Sequence, residues 1–149
     1  MKEKFISNMK VLRQEFNVSQ IQLAKETGLT KSAIGYWEIG SRTPNAIAVI
    51  ILSRYFQVST DYLLKVSNDN STIHRIDDFE VDLYSFTQRL KELRIKNNLS
   101  QDQLASQTNI SQPSINHWER GINLPNANAI VSLARYFGVT TDYLLGESD

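Results

Sequence analysis

Apolar residues recur at the spacing of short amphipathic helices along the first part of the chain. Met9, Leu12 and Phe16 lie three and four residues apart, as residues on one helix face do, and they predict a first helix that ends near Asn17. Ser19 precedes the next segment, and its hydroxyl is suited to accept a hydrogen bond from an unpaired amide at a helix start. The pattern therefore predicts helices rather than strands.

Capping residues and helix breakers divide the following residues into four more short helices. Gly28 permits the left-handed backbone conformation that ends many helices, and Gly40 and Pro44 interrupt the chain again. The predicted helices cover residues 20–26, 31–38, 45–56 and 60–64, with Ser19, Thr30, Asn45 and Thr60 as their N-caps.

The same pattern returns 81 residues further along the chain. Residues 5–65 align with residues 86–146 without a gap, and 29 of the 61 aligned positions are identical. Agreement at this level indicates a duplication. Asn109 replaces Gly28, and asparagine also tolerates the left-handed conformation. The N-caps of the second copy are Ser100, Ser111, Asn126 and Thr141. The sequence therefore predicts an all-α protein of two five-helix domains in tandem.

The segment between the copies is polar and acidic. We predict a first domain over residues 1–65, a linker over residues 66–85 and a second domain over residues 86–149. Formal charge is +4 in the first domain, −4 in the linker and 0 in the second domain. The acidic run of the linker consists of Asp77, Asp78, Glu80 and Asp82. Apolar spacing also predicts that the first helix of the second copy begins before Phe86.

The composition excludes several kinds of site. The chain has no Cys, which excludes disulfides, thiolate catalysis and cysteine-ligated zinc. His74 and His117 lie too far apart in sequence for a metal-ligand motif, and no nucleophile–base pair or Gly-rich phosphate loop is present. We therefore expect no catalytic residues, no metal and no cofactor. The longest apolar run, residues 46–52, is far below the ~20 residues that span a bilayer, so we expect a cytoplasmic protein.

Two short helices joined by a tight turn are typical of a helix-turn-helix motif, whose second helix enters the major groove of DNA. Each copy resembles the Cro/phage-repressor type of helix-turn-helix domain, the xenobiotic-response-element family. The matching residues are Leu12-Arg13, Ser19-Gln20-x-x-Leu23-Ala24, Gly28-Leu29-Thr30, Ile34-x-x-Trp37-Glu38-x-Gly40, Pro44 and Asp61-Tyr62-Leu63-Leu64. The resemblance implies two lambda-repressor-like domains that bind double-stranded DNA sequence-specifically, in a bacterial or phage protein.

The predicted recognition helix of the first copy presents a short outward face. On a helical wheel Ile34 points inward, whereas Ser32 and Tyr36 point outward with Gly35 beside them and Lys31 on the flank. Lysine can bond guanine acceptors or a phosphate, serine can donate or accept, and tyrosine can donate or pack on a thymine methyl. At Gly35 the backbone could approach the DNA closely.

The second copy carries amides on the corresponding face. Gln112 and Asn116 can each pair bidentately with adenine. The resemblance implies a phosphate contact for Gln20 and Gln101, a backbone or minor-groove contact for Arg42, and internal ion pairs Arg13–Glu38 and Arg94–Glu119. The candidate DNA contacts are Gln20, Thr30, Lys31, Ser32, Gly35, Tyr36, Arg42, Gln101, Ser111, Gln112, Ser114, Asn116 and His117.

Differences between the copies suggest a second kind of surface. Ile47 and Ile51, one helical turn apart, are replaced by Asn128 and Ser132 in the second copy. Positions that accept polar residues in one copy are expected to lie outside the deep core of the other. We therefore predict an apolar interface at Ile47 and Ile51, either with the second domain or with a second chain.

The sequence thus predicts a DNA-binding transcriptional regulator, a repressor that acts by occupancy, with a recognition helix from each domain. The alternative is a protein-interaction module, an antitoxin or anti-regulator, in which one or both domains bind protein instead of DNA. An enzyme is not expected, and no small-molecule domain is evident beside the two copies and the linker.

Overall fold

Two compact units make up the computed structural model, Met1–Val81 and Asp82–Asp149. The structure describes residues 4–71, 79 and 81–149, so His74, Asp77, Asp78 and Glu80 lie outside the described residues. Unit 1 contains α1 Met9–Glu15, α2 Gln20–Thr27, α3 Lys31–Ile39, α4 Ala46–Phe56 and α5 Thr60–Leu63. Unit 2 contains α6 Tyr84–Lys96, α7 Gln101–Thr108, α8 Gln112–Glu119, α9 Ala127–Phe137 and α10 Thr141–Leu145.

The all-α tandem fold predicted from the sequence is confirmed. In the part of the chain that the structure describes, each unit contains five helices in the same order, and α6 begins at Tyr84, two residues before Phe86. Among the residues that the structure describes, no helix combines the length and apolar character needed to cross a membrane.

Side-chain caps start the helices largely where the sequence predicts. The side chains of Ser19, Thr30 and Asn45 each accept a hydrogen bond from an amide three residues later. Thr60 was predicted as the cap of α5, and that prediction is wrong. Ser59 accepts the hydrogen bond from the amide of Tyr62 at 3.0 Å, because Thr60 is already helical and is fully buried.

The second unit repeats both the caps and the exception. Ser100, Ser111 and Asn126 cap their helices as predicted. Thr140 rather than Thr141 caps α10, since Thr141 is also fully buried. The turn between α7 and α8 keeps its left-handed residue, because Asn109 takes φ 59° where Gly28 takes φ 78°.

Apolar residues from all the longer helices close each core. In unit 1 Leu12, Leu23 and Ile34 join α1, α2 and α3, and Ile34 is 0% exposed. The equivalent core residues of unit 2 include Leu104 and Ile115, also 0% exposed. Each fully buried side chain of this size contributes about 1.5–3 kcal/mol. The packing fixes one face of α3 and of α8 inward, so the opposite face is presented outward.

An ion pair also holds the third helix of each unit. The Arg13 Nε atom lies 2.7 Å from Glu38 Oε2, and Arg94 Nε lies 2.7 Å from Glu119 Oε2. Hydrogen bonding to the Glu38 carboxylate raises the pKa of the Arg13 guanidinium above its ordinary value. Both predicted ion pairs are therefore present, and they join the first helix of each unit to the third.

Candidate nucleic-acid interface

The outward face of α3 carries the residues that the helical wheel predicts. Lys31, Ser32 and Tyr36 are exposed and Gly35 is half-buried, whereas Ile34 is fully buried beneath them. Thr30, a candidate DNA contact, is exposed and uses its hydroxyl oxygen to accept the amide hydrogen of Ala33 at 3.1 Å. The face is accessible and rigidly attached to the core.

Arg42 lies beside this face, in the loop that follows α3. Its guanidinium carbon is 4.4 Å from the ring centroid of Tyr36, a cation–π geometry. Both side chains are exposed. The contact orients the cation next to the outward face of α3, where it is available to an anionic group.

In unit 2 the candidate side chains form a hydrogen-bonded cluster. Gln112 Nε2 donates to Gln101 Oε1 at 2.7 Å, and Asn116 Nδ2 donates to the same oxygen at 3.3 Å. A single acceptor thus fixes two amides of α8 from the start of α7. The carboxamide oxygens of Gln112 and Asn116 are not used in these bonds and remain acceptors for a ligand.

The other candidate side chains of unit 2, those of Ser111, Ser114 and His117, also have side-chain partners. Asn123 Nδ2 and His117 Nδ1 are 3.2 Å apart, at the positions that correspond to Arg42 and Tyr36. The hydroxyls of Ser111 and Ser114 are 2.7 Å apart at the first turn of α8. Each unit therefore connects the third helix to its following loop by a side-chain pair, of different chemistry in the two units.

The glutamines predicted to bind phosphate are oriented by the ion pairs. Gln20 Nε2 donates to Glu38 Oε1 at 3.2 Å, and Gln101 Nε2 donates to Glu119 Oε1 at 3.3 Å. Both residues are the first of their helices, so their backbone amides belong to the set left unpaired at a helix start. Such amides favour an anion, so a phosphate contact at this position would use the backbone amide as its donor. The contact itself stays a prediction.

Sequence reasoning missed one residue of the outward face in each unit. Ile39 follows Gly35 by four residues and is 64% exposed, and Arg120 occupies the corresponding position in unit 2. Helical spacing from Gly35 and Asn116 could have identified both. Arg120 also changes the charge comparison, because unit 2 lacks cations at the positions of Lys31 and Arg42 but gains one here.

The predicted apolar interface on α4 is less open than the sequence suggests. Ile51 is 7% exposed and Ile47 is half-buried, whereas the equivalent Asn128 and Ser132 are exposed. An interface at these isoleucines stays a prediction.

No group of three or more His, Cys, Asp or Glu residues that could hold a metal ion occurs within residues 4–71, 79 and 81–149. Apart from Gly35 and Ile39, the residues of the outward faces present donors, acceptors and cations, which is the chemistry that contacts bases and phosphates.

Comparison with known families agrees with the duplicated motif. A family model described as "Helix-turn-helix" matches residues 9–63 and, separately, residues 90–144. The two matches cover one domain in each unit and contain both pairs of helices that carry the candidate contacts.

Several curated proteins are similar to parts of the chain. The HTH-type transcriptional activator BcrR of Enterococcus faecalis is 40% identical over 60 residues, which are 40% of this chain and 29% of BcrR. An uncharacterized HTH-type transcriptional regulator of Bacillus subtilis, YqaE, is 32% identical over 111 residues, 60% of this chain and 96% of YqaE. Repressor protein C2 of Salmonella phage P22 is 36% identical over 64 residues, 42% of this chain and 30% of C2.

These alignments differ in how much of each relative they include. The chain spans less than a third of BcrR and of C2, and nearly all of YqaE. No solved structure matches the chain significantly.

Proposed function

Because the chain belongs to the helix-turn-helix family of DNA-binding transcriptional regulators, we propose that it represses transcription by occupying a two-part operator with both units. One recognition helix, α3, reads the first half-site, and the other, α8, reads the second. The observation that carries the proposal is the equivalent presentation of two polar helix faces, each held outward by its own core and ion pair.

Unit 1 supplies more of the electrostatic attraction to DNA than unit 2. Lys31 opens the recognition helix and Arg42 follows it, and both are exposed. Each phosphate neutralised by such a cation releases counterions, and so contributes about 0.9 to the slope of log affinity against log salt. The local net charge of +4 over residues 1–65 favours the same partner.

Unit 2 supplies base contacts through amides. Gln112 and Asn116 project from the first two turns of α8, and their orientation is fixed by Gln101. An amide that presents an oxygen and an N–H together matches N6 and N7 of adenine in the major groove. Arg120, on the same face, adds a cation that suits guanine or phosphate.

One chain can reach both half-sites. Half-sites on one face of DNA are about 34–36 Å apart, or a multiple of that distance. Twenty residues separate the two copies, and a chain of that length extends to roughly 66 Å at most. The second contact then gains from its high effective concentration, so a monomer suffices for specific binding.

Repression here means that the bound protein blocks the promoter, and it requires a measurement separate from that of DNA binding. Among the similar proteins, C2 is named a repressor and BcrR an activator, so similarity in this domain does not distinguish repression from activation. Transcription in vitro from a promoter that contains the selected site should fall when the protein is added. A rise would refute repression and leave DNA binding in place.

Selection of bound sequences from a random duplex pool tests the binding proposal directly. The full chain should enrich two distinct half-sites at a fixed spacing. Lys31→Ala should relax base preference in one half-site only, and Gln112→Ala in the other. Lys10→Ala, an exposed lysine on α1, serves as the control and should leave both half-sites unchanged.

The alternative, a module that binds protein instead of DNA, predicts a different outcome. It gives no enriched sequence and no binding to random duplex even at low salt. Enrichment of a single half-site that responds to Lys31→Ala but not to Gln112→Ala would contradict the role proposed for α8 and leave the role proposed for α3 in place.

A further inference from the structure

A shallow concavity lies on the outward face of α3, in the middle of the predicted recognition surface. It is about 310 Å³ in volume and open to solvent, and it is lined by Lys31, Ser32, Gly35, Tyr36 and Ile39. It is wide open rather than enclosed, so a flat group can approach it edge-on.

The fold does not require glycine at position 35. Gly35 lies within α3 and is absent from the residues with positive φ. A Cβ atom added there would meet nothing closer than Gln20 Oε1 at 3.6 Å, an ordinary contact. Glycine inside a helix costs about 1 kcal/mol relative to alanine. Neither steric crowding nor backbone conformation therefore requires glycine here. The consequence of Gly35 is that no side chain covers the floor of the concavity.

The walls of the concavity are apolar at one end and donate hydrogen bonds at the other. Ile39 is 64% exposed and Tyr36 is 41% exposed, so both present carbon surface to solvent. Ser32 lies one turn before Tyr36 and two turns before Ile39 in α3, with Lys31 next to it, and the lysine ammonium is a donor with no acceptor capacity.

We propose that this concavity, the Gly35 notch, receives the major-groove edge of one thymine. The C5 methyl group of the base enters the notch against Ile39 and Tyr36, and O4 accepts a hydrogen bond from Lys31 or Ser32. Thymine is the base that presents both a methyl group and an acceptor on this edge. Cytosine presents a donor there instead. Lys31 cannot accept it, whereas the Ser32 hydroxyl can, so the exclusion of cytosine rests on Lys31 and on the methyl group that cytosine lacks. The inference rests on the proposed binding of DNA by unit 1.

Unit 2 lacks the notch, which gives the two units different preferences. Asn116 takes the place of Gly35 and Arg120 takes the place of Ile39, so the floor carries an amide and the apolar wall becomes a cation. The second half-site is therefore read by hydrogen bonds, and the complete operator is not a simple repeat of one half-site.

Replacement of thymine by deoxyuridine tests the notch, because it removes only the C5 methyl group. In the half-site read by unit 1, one such replacement should lower the affinity of the full-length protein about fourfold, the effect of burying one methyl-sized group. Gly35→Ala should place a methyl group on the floor of the notch, where the C5 methyl group of thymine would otherwise lie, lower affinity for the thymine site and bring the thymine-to-uracil ratio close to one. Its melting temperature should stay equal or rise.

A second variant probes the wall rather than the floor. Ile39→Ala should also reduce the thymine-to-uracil ratio, whereas Ile6→Ala, equally exposed at 63%, should leave it unchanged. Specific binding that is insensitive to deoxyuridine at every thymine of that half-site would overturn the notch and leave the proposed function intact. Loss of all sequence-specific binding by the unmodified protein would instead refute the proposed function.

Discussion

Gln112 donates a side-chain hydrogen bond to the side-chain oxygen of Gln101 at 2.7 Å, which joins the first residue of α8 to the first residue of α7. Asn116 donates to the same oxygen, so two potential base-reading amides share one anchor. Unit 1 has no counterpart, because Lys31 and Gly35 occupy the equivalent positions. Hydrogen bonds therefore fix the orientation of the candidate side chains of α8, whereas these bonds have no equivalent at Lys31 and Gly35 of α3.

This anchor predicts that Gln101 and Gln112 act as one unit in DNA binding. Gln112→Ala should weaken binding to the selected operator by about 1–3 kcal/mol, the value of a bidentate base contact. Gln101→Ala should weaken it as well, because the amide of Gln112 loses its fixed orientation. In a double-mutant cycle the two losses should be less than additive.

Affinity measurements on the full chain, with Ser106→Ala as an exposed control on α7, check this coupling. Thermal unfolding should show that unit 2 of Gln101→Ala remains folded, since Arg94 still makes two hydrogen bonds to Glu119 when Gln101 no longer donates to it. Strict additivity of the two losses would mean that the hydrogen bond in the free protein has no role in recognition.

The cation next to α3 predicts a change in salt dependence. Arg42→Asn gives unit 1 the residue that unit 2 has at this position, Asn123. The slope of log affinity against log salt should become shallower by about 0.9 if Arg42 neutralises one phosphate. The reverse change, Asn123→Arg, should steepen it by a similar amount. A slope unaltered by Arg42→Asn in binding to random duplex would place this cation away from the phosphates.

The sequence predicts the elements of the fold well because their signals are local. Ser19, Asn45 and Asn109 each act through amides or backbone angles within a few residues. The error at Thr60 is instructive, because Ser59 and Thr60 are both suitable caps and only the tertiary structure decides which one is buried. A local signal cannot choose between adjacent equivalent residues.

Contacts that organise the candidate site were harder to predict. The bond between Gln101 and Gln112, like the stacking of Arg42 on Tyr36, joins side chains across a turn or loop. Their geometry depends on how the helices pack, which residue spacing does not specify. Gly35 was identified as a place of close approach, and helical spacing also indicates Ile39, but the shape of the notch depends on how the side chains lie in three dimensions.

A tyrosine–glutamate contact in unit 1 predicts a pH-dependent contribution to stability. The Tyr55 hydroxyl donates to Glu26 Oε2, and Gln22 Nε2 donates to Oε1 at 2.8 Å. These hydrogen bonds, that from Tyr55 first, lower the pKa of Glu26 below its ordinary value of 4.5. A carboxylate with a lowered folded-state pKa adds stability above its unfolded pKa and loses it as the pH falls through the folded value.

Unit 2 provides the uncharged form of the same contact, since Tyr136 donates to Gln107. Glu26→Gln should therefore lower the stability of unit 1 relative to the unchanged protein at neutral pH, and the difference should shrink below pH 4.5 and vanish once the pH has fallen through the lowered folded-state pKa of Glu26. Thermal unfolding over this range, with an NMR titration of the Glu26 carboxyl, measures both quantities. A difference that stays constant through the acid range would show that the carboxylate charge does not matter.

Gly40 and Gly121 occupy equivalent positions, and a comparison of their alanine variants distinguishes the cost of a positive φ from the cost of steric overlap. Gly40 and Gly121 both have positive φ, 79° and 70°, where a side chain costs about 1–2 kcal/mol. A Cβ atom at Gly40 would lie 2.5 Å from the backbone oxygen of Phe5, whereas at Gly121 the nearest atom is Thr87 Oγ1 at 4.0 Å. The amide of Phe5 also donates to the oxygen of Gly40 at 3.2 Å, which holds that segment in place.

Gly121→Ala should therefore destabilise unit 2 by the backbone cost alone, whereas Gly40→Ala should destabilise unit 1 by a further ~1–3 kcal/mol, the cost of overpacking. Denaturant unfolding followed by fluorescence measures the two units, because each contains one tryptophan, Trp37 or Trp118. A Gly40→Ser variant should behave like Gly40→Ala, since its Cβ meets the same backbone oxygen. Equal losses at the two glycines would mean that residues 4 and 5 move aside without cost, so that their contact with Gly40 does not stabilise unit 1.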